Sequence, residues 1–305
     1  MAERLVANEK VEGSNPFARS FLTPSLNKAN SLKIIPSIIL VFFLLGAGQK
    51  TPPRRIVSLV PFVTEELFQL GVGDKIAGVT VFCNYPEEAK KKEKIGAFLQ
   101  PNIEKIVTLS PDIVFATKEG HKNTMVEKLK NTGINVFVFE PCSSFNDVSG
   151  QFLQLSGLVG EKQKAEKILL KVNKRINAVK RENILKRKPG VFWQVGANPL
   201  ITSGKNTFAD EMITFAGGIN IAGESKIRYP RYNREEVIRK NPDIIIITDM
   251  GIETASETAA WQKYPEINAV KNKKIFILDG HGVLSPTPLS YAEALEKIAK
   301  LFHEQ

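Results

Sequence analysis

Residues 102–114 read NIEKIVTLSPDIV, and residues 233–245 read NREEVIRKNPDII, the same pattern 131 positions later. In each copy an Asn stands where a helix N-cap is expected, and a Glu follows in the first turn, where a carboxylate suits the positive end of the helix dipole. Pro-Asp then closes the helix, and a β-branched apolar run begins that predicts a buried strand. Capping chemistry accounts for Asn, Pro and Asp, but it leaves the glutamates unexplained. Two lobes related by a pseudo-two-fold axis would present Glu104 and Glu235 symmetrically, one per lobe. Docking on a symmetric two-subunit partner needs that arrangement.

Outward from the first copy, short β-branched runs lie at 55–61 (RIVSLVP), 76–82 (IAGVTVF), 112–117 (DIVFAT) and 134–140 (INVFVFE). Such runs predict strands buried on both faces of a parallel sheet. Helical patterns at 64–70, 102–109 and 122–131 separate them, which makes an α/β lobe. Residues 144–188 carry no strand signal; from Ala165 apolar residues at steps of three and four predict a long amphipathic helix. Beyond Pro189 strands are expected at 191–195, 243–248 and 274–279, with helices near 207–216, 234–240 and 290–302. The expected fold class is therefore α/β, two lobes with central parallel sheets joined by one long helix. The first lobe spans 54–143, the link 144–188 and the second lobe 189–305. A single rigid link predicts lobes that move little.

Composition narrows the function. The chain has 305 residues, a net charge of +10 and 43% hydrophobic residues, with a mean hydropathy of −0.12. Those values exclude wholesale disorder, a fibrous repeat and a multi-span membrane protein. Lys and Arg are spread along the chain without a basic, aromatic-interleaved stripe, so no nucleic-acid partner is expected. Residues 34–48, IIPSIILVFFLLGAG, follow Lys28 and Lys33 and end on small residues, as a secretory signal does. An uncleaved anchor is the alternative, and no Cys follows the run to carry a lipid. Residues 1–48 are set aside as a leader. Within them VEGSNPFARS resembles a translated transfer-RNA gene and suggests a misassigned start. The expected location is periplasmic or otherwise extracytoplasmic.

Chemistry-bearing motifs are sparse. Cys83 and Cys142 form no C-x-x-C pair. The strands they follow are separated in the usual 2-1-3-4 order, which argues against a disulfide. There is no G-x-S-x-G elbow and no phosphate-binding G-x-x-x-x-G-K-[ST] loop. Glu65-Glu66 reads as solvated charge on a helix surface. Neither an enzyme nor a metal centre is expected.

Several segments together carry a resemblance: RIVSLVPFVTE (55–65), CNYPEEA (83–89), the 102–114 stretch, QVGANPLITSG (194–204) and FAGGINI (215–221). Over about residues 54–303 the chain resembles the class III, helical-backbone substrate-binding proteins of ABC importers. The CNYPEEA and QVGANPLITSG segments look most like the vitamin B12 binders of that family. The resemblance implies a monomer without a cofactor that carries a corrinoid, cobalamin, as transported ligand. It also implies a permease dimer whose arginines meet one Glu per lobe, matched here by Glu104 and Glu235. A ferric siderophore or haem is the alternative within the same fold, which Arg228 and Arg231 would suit. A metal-dependent enzyme or a divalent-metal binder is the alternative of another class.

Ligands of open α/β sheets sit beyond the carboxyl ends of the strands. In the first lobe that rule singles out Phe62, Phe82, Tyr85, Phe98 and His121; in the second, Asn198, Tyr229, Arg231, Asp279 and His281. The resemblance matches Phe82, Phe98 and Tyr229 to aromatic positions that line the corrinoid cleft. A flat, mostly apolar macrocycle rimmed with amides suits aromatic walls and a few donors. His121 and His281 have glycine neighbours and are expected as exposed loop residues near the cleft. A neutral imidazole there could coordinate cobalt or haem iron, solvation being the plainer reading. His303, at the end of the chain, is expected to be inert.

Overall fold

A computed structural model describes residues 51–184, 186–249 and 251–303; the leader read at 1–48 lies outside the described residues. The first lobe runs through β1 (Ile56–Ser58), α1 (Pro61–Gln69), β2 (Ile76–Val79), α2 (Glu87–Lys90), α3 (Ile103–Thr108), β3 (Ile113–Thr117), α4 (Asn123–Asn131) and β4 (Val136–Phe139). Two helices follow, α5 (Phe145–Val159) and α6 (Lys162–Asn183). The second lobe opens with β5 (Gly190–Gly196), β6 (Ile201–Thr202), α7 (Phe208–Phe215), β7 (Ile219–Asn220) and α8 (Arg234–Lys240). It closes with β8 (Ile244–Thr248), α9 (Thr254–Gln262), α10 (Asn268–Lys271), β9 (Ile275–Leu278), α11 (His281–Leu284) and α12 (Pro288–His303).

The first sheet has the order β2-β1-β3-β4 and is parallel throughout. The second has the order β6-β5-β8-β9, with β7 also pairing β5. Its β5–β8 and β8–β9 pairs are parallel, while β6 folds back antiparallel on β5. Every residue of β3 and β8 is buried, as strands covered on both faces require. Strands β6 and β7, of two residues each, and four helices gave no signal in the sequence. Helices α2, α10 and α11 have four residues each, too few to show a period. Helix α9 buries only Trp261 and has no apolar stripe.

The sequence repeat turns out to organise both sheets. The Asn102 side chain accepts the Lys105 N–H at 2.9 Å, and Asn233 accepts the Glu236 N–H at 2.7 Å. The aspartates do more than end a helix. Asp112 Oδ2 accepts the N–H groups of Arg54 and Arg55 at 2.7 and 2.8 Å, tying the entry of β3 to that of β1. Those two N–H groups hold its carboxyl below the usual range. Asp243 Oδ2 accepts the Gly190 N–H at 2.9 Å and so ties β8 to β5.

Between the lobes, α5 ends at Gly160, whose φ of 82° is left-handed and whose missing Cβ would lie 2.7 Å from Pro52. Helix α6 then serves two cores. Ala165 and Leu169 pack with Phe152 and Leu155 in the first lobe's cluster, whereas Val172, Ile176 and Val179 pack in the second lobe's. Helix α12 is fastened along α6 by a two-pronged Arg175–Glu296 pair, each contact 2.8 Å. Bending the link would uncover apolar surface on both sides at once, which gives the expected rigidity its physical cause. No helix among the described residues is long and apolar enough to cross a membrane.

Candidate ligand cleft

Phe62 enters α1 directly after β1, and Glu66 lies one turn further on the same face. Strand β3 ends at Thr117 and is followed by Glu119 and Gly120; β4 ends at Phe139 and is followed by Glu140. Opposite them, the second lobe supplies Phe208, at the start of α7, and Leu284 beside Pro286 before α12. Between these walls lies a cavity, partly open to solvent, which Cys142 also lines.

Its floor is acidic. Glu66 is 1% exposed, and burial, helped by the neighbouring Glu65 charge, holds its carboxyl well above the usual range. Burial also raises Glu119, against the opposing pull of Arg228. The Cys142 thiol is pushed up to about 12 by burial first, then by the negative groups Asp147, Glu66 and Glu119, so it is neutral. Glu140 pairs with Lys118. Tyr229 is 46% exposed; burial raises its phenol pKa, with Arg228 lowering it and Glu119 raising it. Arg228 donates from Nε to the Asn206 carbonyl at 3.1 Å and lies 5.7 Å from the Tyr229 ring centre.

The two cleft histidines depart from expectation. His121 is 4% exposed, not an exposed loop residue. The turn after β3 folds its ring back, so that Nδ1 accepts the Thr117 N–H at 3.1 Å. Phe98, half-buried, meets that ring edge-on at 4.9 Å and covers Gly120, where a Cβ would come within 2.2 Å of the Phe98 ring. Burial lowers the His121 pKa and keeps the imidazole neutral. His281 is half-buried, with Nε2 2.7 Å from Glu65 Oε2 and its ring stacked on Tyr85 at 3.7 Å. Gln69 Nε2 extends this bridge, donating to Glu65 Oε1 and Thr287 Oγ1, each at 2.9 Å. The Glu65-Glu66 pair is thus not solvated charge: one residue joins the lobes and the other is buried. His303 Nε2 lies 3.0 Å from the Ala216 carbonyl.

The hydrogen bond His281 donates to Glu65 raises the His281 pKa, with Asp279 and Glu293 adding to it and burial opposing. A raised imidazole pKa stabilises the folded state fully below the ordinary value of about 6.5, and that contribution is lost as pH rises through the raised value. The Tm difference between the protein and His281→Gln is therefore expected to be largest near pH 6 and to shrink towards pH 9. Parallel Tm curves over that range would show that the bridge is not ionic.

Other candidates lie outside the cavity walls. Phe82 is 58% exposed, and Asn198 and Arg231 are exposed. Asp279 is exposed too, its Oδ1 accepting the His281 N–H at 2.9 Å. Cys83 and Cys142 are free thiols. Among the described residues no group of three or more His, Cys, Asp or Glu could hold a metal ion.

A family model described as periplasmic binding protein matches residues 56–281. The chain belongs to the periplasmic binding protein family. This binding protein is 29% identical over 271 residues to the "Vitamin B12-binding protein" of Vibrio vulnificus, covering 89% of this chain and 97% of that one. It is 32% identical over 261 residues to an "Uncharacterized ABC transporter substrate-binding lipoprotein" of Bacillus subtilis, covering 82% and 80% of the two chains. Among solved structures it matches the periplasmic vitamin B12 binding protein BtuF of Vibrio cholerae with a TM-score of 0.70 at 26% identity, over 84% of this chain and 100% of that one.

Sequence reasoning missed the acids that line this binding protein's cavity, of which Glu66 is buried and Glu119 and Glu140 are exposed. Glu119 and Glu140 each follow the end of a parallel strand, the signal that singled out the other candidates. Glu66 shares a helix face with Phe62, which could have marked it as lining the same space.

Proposed function

We propose that this protein is the exported solute-binding protein of an ABC importer. It holds a corrinoid, cobalamin, in the cleft between its lobes and delivers it to a permease dimer that docks on Glu104 and Glu235. Its work is binding and docking, without chemistry on the ligand, in an extracytoplasmic compartment. One observation carries the proposal: a cleft with Phe62 and Phe208 in its walls, between two α/β lobes fastened by one helix. The printed names of the relatives support it. Aromatic side chains offer a large apolar area at small entropic cost, which a flat macrocycle needs.

Calorimetric titration with cyanocobalamin is expected to give tight one-to-one binding. Binding of haemin or a ferric siderophore in its place would keep the transporter and move the ligand to iron. Phe98→Ala and Tyr229→Ala are each expected to weaken corrinoid binding by about 1–3 kcal/mol through lost stacking area. Unchanged affinity in both variants would remove these rings from the site.

A further inference from the structure

The cavity floor holds a group that nothing else in the fold uses. Glu66 lines the cavity, is 1% exposed, and its Oε2 has no hydrogen-bond partner. A buried carboxyl without a partner is costly and calls for one. The walls around it, Phe62, Val148, Phe208 and Leu284, are apolar.

We propose that Glu66 is a specificity-determining residue that reads a terminal primary amide on an arm of the ligand, with Glu119 excluding a carboxylate from the same place. This inference rests on the corrinoid reading and names which part of that ligand enters the cavity. Burial raises the Glu66 pKa and so favours the protonated carboxyl, which offers one donor and one acceptor. A primary amide presents the complementary acceptor and donor. Two hydrogen bonds can then form at a buried carboxyl beside apolar walls, where each is stronger than in water. A carboxylate arm lacks the N–H donor and would share the cavity with a second acidic lining residue, Glu119. The neutral Cys142 thiol and the Lys118-paired Glu140 add no positive charge to the lining, and Arg228 donates to the Asn206 carbonyl. Rejecting a wrong ligand by an unpaired buried polar group is a general source of specificity.

The test compares the protein with Glu66→Leu and Glu66→Gln in calorimetric titrations with cyanocobalamin and with its monocarboxylic derivatives, in which single rim amides are hydrolysed. Leucine removes an unpartnered buried acid, so the Tm of Glu66→Leu is expected to hold or rise. Its affinity for cyanocobalamin is expected to fall tenfold or more. Glutamine keeps a donor and an acceptor, and its affinity is expected to stay within threefold of the unaltered protein. At least one monocarboxylic derivative is expected to bind tenfold more weakly than cyanocobalamin, and Glu119→Gln to recover most of that loss. Cyanocobalamin affinity in Glu66→Leu within twofold of the unaltered protein would overturn the inference, as would equal binding of every monocarboxylic derivative. Either result would leave the corrinoid function standing. No cyanocobalamin binding by the unaltered protein would instead overturn the function, and this inference with it.

Discussion

Reversing the two glutamates proposed to dock the permease, Glu104→Lys together with Glu235→Lys, is expected to abolish corrinoid uptake and to leave corrinoid affinity unchanged. Both residues are exposed, and each sits in the first turn of a helix capped by an Asn. Neither makes an ion pair with another described residue, and neither lines the cavity. Their carboxylates are therefore available to arginines of a symmetric partner. Placing lysine opposite arginine turns attraction into repulsion, which costs several kcal/mol per contact in a partly desolvated interface. With one such contact per lobe, uptake is expected to fall by about 100-fold or more, since each 1.4 kcal/mol is a factor of ten. Transport of labelled cyanocobalamin into cells, beside calorimetry on the purified variant, separates the two properties. A loss of affinity that parallels the loss of uptake would disprove the docking role.

A second large effect is expected from Trp193→Ala. Trp193 is fully buried in β5, and its Nε1 donates to Thr248 Oγ1 of β8 at 2.8 Å. It belongs to the same core as Val172 and Ile176 of the linking helix. Removing a buried tryptophan leaves a cavity and costs about 3–5 kcal/mol, and the Thr248 hydroxyl loses its partner as well. For a domain of this size each kcal/mol lowers Tm by about 2–4 °C, so a drop of roughly 6–20 °C is expected by circular dichroism. Because α6 contributes to both cores, unfolding is expected to remain a single transition. Two separate transitions would show that the lobes unfold independently of their link.

The parts of this protein legible without coordinates are those set by near neighbours along the chain. A fully buried strand announces itself as an unbroken β-branched run, as at residues 113–117 and 244–248. A helix start announces itself by Asn followed by Glu, as at Asn102 and Asn233. The alternation of such segments, the single helical link and the two symmetric glutamates followed from periods and caps that extend over one or two turns. The resemblance to a known family rested on the same short segments.

What only the tertiary structure decided concerns polar side chains and their surroundings. Glu65 and Glu66 are adjacent and chemically identical, yet Glu65 meets a histidine 216 positions away and Glu66 is buried without a partner for Oε2. His121 and His281 both follow strands near glycines, yet one folds under Phe98 and the other stacks on Tyr85 from the opposite lobe. Burial and partner choice depend on which element arrives from elsewhere in the chain, and no local period encodes that arrival. Hydrophobic alternation specifies which face of an element is covered; the covering lobe then determines which acid keeps its proton and which histidine is held in a bridge.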